Sequence, residues 1–185
     1  KSKLFKEIIK SIRQEIGQVY GQFLTNAFLK KDKLLEKGDI IEILKCHKST
    51  RERVEFYDKI YSKIFSWYTP KKIADLACGL NPISYELMKV NCDYFASDLN
   101  PKDMDFLQTF FDSKKINGIV KAYDLTRLEI LRDENFLKCD LVFLFKALDS
   151  FEEVKRGISK TLLEGIKAEH IVVSFPTKSL VSRNE

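Results

Sequence analysis

The chain has 185 residues, 44% of them hydrophobic, with a net charge of +5, which suits one compact unit with a real core and a small appendage. No stretch approaches the roughly 20 consecutive apolar residues of a membrane span, and the charged start Lys1-Ser2-Lys3-Leu4-Phe5-Lys6-Glu7 has no apolar signal core. A soluble, cytoplasmic protein, monomeric and off the membrane, is therefore expected; Cys46, Cys78, Cys92 and Cys139 lie far apart without a C-x-x-C pair, so reduced thiols are expected rather than a disulfide or a zinc site.

Charge is divided unevenly. Residues 1–72 hold 17 Lys+Arg against 9 Asp+Glu, whereas the remaining 113 residues hold 15 against 18. A basic N-terminal part suggests a polyanionic partner, with plain solvation of exposed helix faces as the alternative.

From Lys3 to about Phe65 the periodicity is helical: Leu4, Ile8, Ile12, Ile16 and Val19 form one stripe. Asp39 suits the cap of a helix over Ile40 to Leu44. Ser49-Thr50-Arg51-Glu52 satisfies the S/T-x-x-E capping box, and Val54, Tyr57, Ile60, Tyr61, Ile64 and Phe65 recur behind it, predicting one helix from Ser49 onward. After Pro70 short apolar runs alternate with amphipathic stretches. Strands are expected at Ile73 to Ala77, Tyr94 to Ser97, Gly118 to Ala122, Leu141 to Phe145 and Ile171 to Ser174. Helices are expected at Pro82 to Lys89, Pro101 to Phe111, Glu129 to Phe136 and Phe151 to Gly165. The continuous apolar run Leu141-Val142-Phe143-Leu144-Phe145 reads as a strand covered on both faces, as in a parallel sheet. The result is an α/β chain with a helical, basic region over 1–70 and a Rossmann-like domain over 71–185.

The most informative segment is Ile73-Ala74-Asp75-Leu76-Ala77-Cys78-Gly79-Leu80-Asn81-Pro82, an apolar run that breaks into a small-residue turn and restarts as a helix. Gly79 lets the backbone approach a ligand closely, and Pro82 fits a first helical turn, where its missing N–H is not needed. G-x-G-x-x-G is absent. A dinucleotide pyrophosphate needs that turn, whereas a nucleoside cofactor without phosphate does not, so S-adenosylmethionine fits better than NAD. Nineteen residues past Gly79, Asp98 ends the second apolar run, where a carboxylate can accept hydrogen bonds from both ribose hydroxyls; its other reading is a cap for the helix near Pro101. Asp124 follows the third strand, placed to receive an adenine amino group with Leu125 against the ring, or else to form an Asx turn.

Four segments in order carry a resemblance: His47-Lys48-Ser49-Thr50-Arg51-Glu52-Arg53-Val54, Asp75 to Pro82, Phe145-Lys146-Ala147-Leu148, and Ser174-Phe175-Pro176-Thr177-Lys178-Ser179-Leu180. Together they resemble the 16S ribosomal RNA guanine-N7 methyltransferases that confer aminoglycoside resistance. The resemblance implies a Rossmann-like, S-adenosylmethionine-dependent methyltransferase acting on 16S rRNA in the small ribosomal subunit. Arg53 would hold the methionine carboxylate, with Arg51 as the fallback. Ala77, Cys78 and Gly79 would face the cofactor, Asp98 with Leu99 its ribose, and Asp124 with Leu125 its adenine. Lys146 would stand at the methyl-transfer site as the catalytic residue. Lys178, Arg183, Lys48 and Arg51 would meet RNA.

Members of that family carry a longer N-terminal helical region and two further strands beyond the last motif, so five strands of a seven-stranded sheet are expected here. Methyl transfer to another RNA, a protein or a small molecule is the first alternative. A catalytically silent RNA-binding relative is the second.

Overall fold

The computed structural model describes residues 30–176. The predicted stripe from Leu4 to Val19 and the residues Lys178 and Arg183 lie outside them.

Among the described residues four helices lead in: α1 (Lys31–Glu36), α2 (Ile40–Lys45), α3 (Lys48–Arg51) and, after a 3-10 turn at Val54–Phe56, α4 (Tyr57–Phe65). Asp39 caps α2 as expected, its carboxylate accepting from the Glu42 N–H at 3.0 Å. The single helix predicted from Ser49 is replaced by the one-turn α3, a break, and α4. The capping-box residues are committed elsewhere. The Ser49 hydroxyl accepts from the Arg53 guanidinium, the Thr50 hydroxyl donates to the carbonyls of Leu44 and His47, and the Glu52 carboxylate is paired with Lys146. Local caps hold only while the side chain has no stronger distant partner.

The sheet comprises β1 (Lys72–Leu76), β2 (Asp93–Asp98), β3 (Gly118–Ala122), β4 (Leu141–Phe145) and β5 (His170–Ser174). All neighbours pair in parallel in the order β3-β2-β1-β4-β5, which fits the five parallel strands expected. Between them lie α5 (Tyr85–Met88), α6 (Pro101–Lys114), α7 (Glu134–Leu137), α8 (Leu148–Val154) and α9 (Ile158–Gly165). Strand residues alternate between two cores. Ile73, Tyr94, Leu141, Phe143 and Phe145 pack with Ile43, Leu44, Tyr57 and Tyr61 of the leading helices. Ala74, Leu76, Phe95, Val142 and Leu144 pack with Phe136, Leu148 and Leu162 on the other face. Both faces are covered, which is why β4 reads as an unbroken apolar run.

Two predicted helices are interrupted for local reasons. Gly157, at φ +81°, separates α8 from α9, and the Glu152 carboxylate takes the N–H groups of Gly157 and Ser159 at 2.7 and 2.9 Å. Asp133 splits Glu129 to Phe136 into a 3-10 turn at Glu129–Arg132 and α7, whose N–H groups of Asn135 and Phe136 it caps. The four cysteines are buried free thiols. No described helix is long and apolar enough to cross a membrane.

Candidate functional site

Parallel strands deliver all their C-terminal ends to one rim, and in open α/β sheets that rim is where ligands bind. Ala77 to Gly79 follow β1, Asp98 and Leu99 end β2, Asp124 and Leu125 follow β3, Lys146 follows β4 and Phe175 follows β5. The backbone there is forced. Ala77 at φ +50°, Gly79 at φ +53° and Lys146 at φ +58° are all left-handed, and a non-glycine residue held so costs on the order of 1–3 kcal/mol.

Asp98 closes the β1 turn onto β2. Its Oδ2 accepts from the Gly79 N–H at 2.7 Å and its Oδ1 from the Leu99 N–H at 2.6 Å. Burial pushes its carboxyl up while these two N–H groups pull it down. The cap of α6 is Asn100, which accepts from the Lys102 N–H at 3.0 Å, so Asp98 is free of the capping role that sequence left open. Asp124 does form an Asx turn, its Oδ1 accepting from the N–H and hydroxyl of Thr126 and its Oδ2 lying 3.3 Å from Arg127. Leu125 is buried beside it and Leu99 is exposed. The Tyr123 N–H donates to the Asp98 carbonyl at 2.9 Å, which holds these two strand ends together.

At the other end of the rim a buried polar network surrounds Arg53. Nη1 donates to Ser49 Oγ at 2.9 Å and Nη2 to Asn81 Oδ1 at 3.2 Å, with Nε 3.5 Å from the Tyr57 hydroxyl. The guanidinium lies 5.0 Å from the Phe145 ring centroid, a cation–π geometry. Asn81 Oδ1 also accepts from Tyr57 at 2.9 Å, and its Nδ2 donates to Asp75 Oδ2 at 2.8 Å. Tyr94 donates to the same Asp75 oxygen at 2.9 Å. Asp75 Oδ1 is buried with no hydrogen-bond partner. Burial pushes the Asp75 carboxyl up to about 7, against the pull of Asn81, Tyr94 and Arg53. The His47 imidazole covers the turn: a Cβ on Gly79 would stand 3.0 Å from its Cε1. Burial, helped by Arg53, lowers its pKa to about 4, so the ring is neutral.

Lys146 pairs through its Nζ with Glu52, next to Arg53 in sequence. Its N–H donates to the Ser174 carbonyl at 2.9 Å, tying β4 to β5 directly before Phe175. Lys48 and Arg51 project from α3 as exposed cations. Among the predicted residues, then, Arg53, the Ala77–Gly79 turn, Asp98, Asp124, Leu125 and Lys146 occupy one rim, while Lys48 and Arg51 belong to the helix that abuts it.

Sequence reasoning passed over His47, Glu52, Tyr57, Asp75 and Asn81. One signal was available: Asp75 and Asn81 are polar residues within an otherwise apolar strand and turn, and buried polar residues in such runs are partnered or functional. Nothing local announces the reach from Arg53 to Asn81 across 28 positions.

The residues suit a nucleoside cofactor bearing an amino-acid tail. Arg53 retains one N–H on each terminal nitrogen, donors that a carboxylate can accept. Asp75 Oδ1 is an unmatched acceptor nearby, and a Cβ on Gly79 would crowd the His47 ring at 3.0 Å while the Gly79 φ of +53° favours glycine.

Comparison with known proteins points the same way. The profile of the ribosomal RNA methyltransferase (FmrO) family matches residues 32–185. The 16S rRNA (guanine(1405)-N(7))-methyltransferase of Micromonospora rosea is 32% identical over 97% of this chain and 70% of its own length. The enzyme of the same name from Frankia casuarinae is 28% identical over 97% of this chain and 68% of its own. Among solved structures, the 16S rRNA methyltransferase RmtF in complex with S-adenosyl-L-homocysteine superposes with a TM-score of 0.80 at 30% identity, covering 97% of this chain and 70% of that one. The 16S rRNA methylase RmtB gives 0.82 at 28% identity over 96% and 70%.

Proposed function

This chain belongs to the ribosomal RNA methyltransferase (FmrO) family, and from that premise we propose that it transfers a methyl group from S-adenosylmethionine to N7 of a guanine in the decoding region of 16S rRNA, within the small ribosomal subunit. The observation that carries the proposal is the single rim on which Arg53, Gly79 and Asp98 stand, with a buried guanidinium at one end and a strand-end carboxylate at the other. That is the polarity of a cofactor with an amino acid at one end and a ribose at the other.

Arg53 would hold the cofactor carboxylate, and Asp75 Oδ1 would be the acceptor for its ammonium group. Ala77, Cys78 and Gly79 would form the floor. Asp98 would accept the ribose hydroxyls beside Leu99, and Asp124 with Leu125 would receive the adenine. When bound, the cofactor supplies an electrophilic methyl on a sulfonium sulfur. Guanine N7 carries an unshared pair, so no proton has to be removed before attack and no general base is needed. The protein's task is to align nucleophile and methyl, and alignment alone can supply on the order of 7–11 kcal/mol. Lys146, at the end of β4, would steer the base or its phosphate rather than take a proton.

The guanine would reach the rim by flipping out of its helix, with residues 1–70 as the RNA-binding part and 71–185 as the methyltransferase part. Lys48, Arg51, Lys178 and Arg183 would meet phosphates, as a monomer in the cytoplasm, and RNA affinity would fall steeply with salt. Aminoglycoside resistance would follow from modification at that site.

The test incubates the protein with isolated small subunits and radiolabelled S-adenosylmethionine and maps N7-methylguanine by reductive strand cleavage. Label on a decoding-region guanine is expected. Cofactor binding without label on the small subunit would send the activity to another substrate.

A further inference from the structure

We infer that Asn81 is a positioning residue that fixes the Arg53 guanidinium for the cofactor carboxylate, an inference that rests on the proposed methyltransferase reading. Asn81 is fully buried and its amide is satisfied in one orientation only. The oxygen accepts twice, from Arg53 Nη2 and the Tyr57 hydroxyl, and the nitrogen donates to Asp75. Turning the amide over would set an N–H group against the Arg53 guanidinium, which can only donate, and its oxygen against a carboxylate.

The guanidinium is in turn held by Ser49 on Nη1, by Asn81 on Nη2 and, at the longer distance of 3.5 Å, by the Tyr57 hydroxyl on Nε, over the Phe145 ring. A planar fork pinned in this way presents its remaining terminal N–H groups in a fixed direction, which is what recognition of a carboxylate requires. Without Asn81 the fork would keep Ser49, the long Tyr57 contact and the ring but could swing about them. Asn81 also opens the 3-10 turn Asn81–Ser84 directly behind the β1 loop. The loop that would floor the cofactor and the cation that would hold its tail are thus joined through one side chain.

The test uses the full chain and two ligands that differ only at the amino-acid end. S-adenosylhomocysteine has the carboxylate; 5′-methylthioadenosine keeps the adenosine and thioether but lacks it. By calorimetry, Asn81→Ala is expected to weaken S-adenosylhomocysteine about 10- to 100-fold, the range for a lost buried hydrogen bond to a charged group, and to leave 5′-methylthioadenosine within about twofold. Tyr57→Phe removes one donor to Asn81, and with it the 3.5 Å contact to Arg53 Nε, without removing the ring; it should produce the same selectivity, about threefold in size, while Asn81→Ser decides the matter if Asn81→Ala does not fold. In an Arg53→Ala background, Asn81→Ala should add less than about twofold. Equal weakening of both ligands, or no change for S-adenosylhomocysteine, would overturn the assignment. Failure of the unaltered protein to bind either ligand would instead sink the methyltransferase reading itself.

Discussion

The two ends of the rim are built by opposite means. At the β2 and β3 end the acids are held by backbone N–H groups close in sequence or on the adjoining strand: Asp98 by Gly79 and Leu99, Asp124 by Thr126. At the β1 and β4 end the Arg53 cluster is held by side chains on three separate segments, Ser49 and Tyr57, Asp75 and Asn81, and Tyr94. Backbone-held acids tolerate substitution because the strand supplies their position. A side-chain cluster has no such support, so cofactor affinity and folding stability are tied together there. The β1 and β4 end should therefore be the fragile one.

The largest effect is expected at Arg53. Truncating a buried, hydrogen-bonded charge costs about 2–5 kcal/mol, so Arg53→Ala should reduce S-adenosylmethionine affinity at least about 30-fold by calorimetry. It should also lower the urea unfolding free energy by about 2 kcal/mol, because Ser49 and Asn81 lose their donor. Asp98→Asn should separate the two quantities. Affinity should fall about tenfold for loss of an acceptor at the ribose, with stability within about 1 kcal/mol, since one amide oxygen still serves Gly79 or Leu99. If Asp98→Asn destabilised the fold as much as Arg53→Ala, the contrast between the two ends would be wrong.

Lys146 lies between these extremes, with its backbone at φ +58° and its ammonium on Glu52. Lys146→Ala and Lys146→Gly should slow single-turnover methylation of small subunits alike, by about tenfold, with cofactor affinity unchanged. The glycine variant should nevertheless be the more stable by about 1 kcal/mol, because glycine adopts that φ without strain. Equal melting temperatures would mean that the strand end relaxes when the side chain goes. Glu52→Gln should lower the rate by a smaller factor, about threefold, as the ammonium loses its charged partner.

What sequence disclosed follows the same division. All five strands fall within a residue or so of their expected bounds, and the placement of Asp98 at a strand end beside the glycine turn was legible because an acid nineteen residues beyond such a turn is a local pattern. Asp39 was found as a cap for the same reason. The Ser49 capping box failed because its residues answer to Arg53, Leu44 and Lys146, the last of them 94 positions away. The helices broken at Gly157 and Asp133 were misread because periodicity continues through a left-handed glycine or a capping acid that interrupts the chain. Arg53 itself was singled out through family resemblance; among its charged neighbours Arg51, Glu52 and Glu55 it would otherwise have passed as one more helix cation.

The finest contrast lies within the fragile end, where Asp75 and His47 should give stability opposite slopes against pH. Burial raises Asp75 from its usual 3.8 to about 7 and lowers His47 from 6.5 to about 4. Between about pH 4 and 7 the native state binds more protons at Asp75 than the unfolded chain does, so that group's contribution is present at the acid end and is lost as pH rises. At His47 the native state binds fewer protons between about pH 4 and 6.5, so its contribution is lost as pH falls. The unaltered protein should show partial cancellation. Relative to it, Asp75→Asn should steepen the rise of stability with pH, and His47→Gln should steepen the fall, when urea unfolding is compared at intervals across this window. Subtracting the unaltered profile removes groups common to all three proteins, including Asp103, which burial raises to about 6. Profiles that ran parallel would mean that one or both groups keep their ordinary pKa in the fold, and that water reaches the Arg53 cluster.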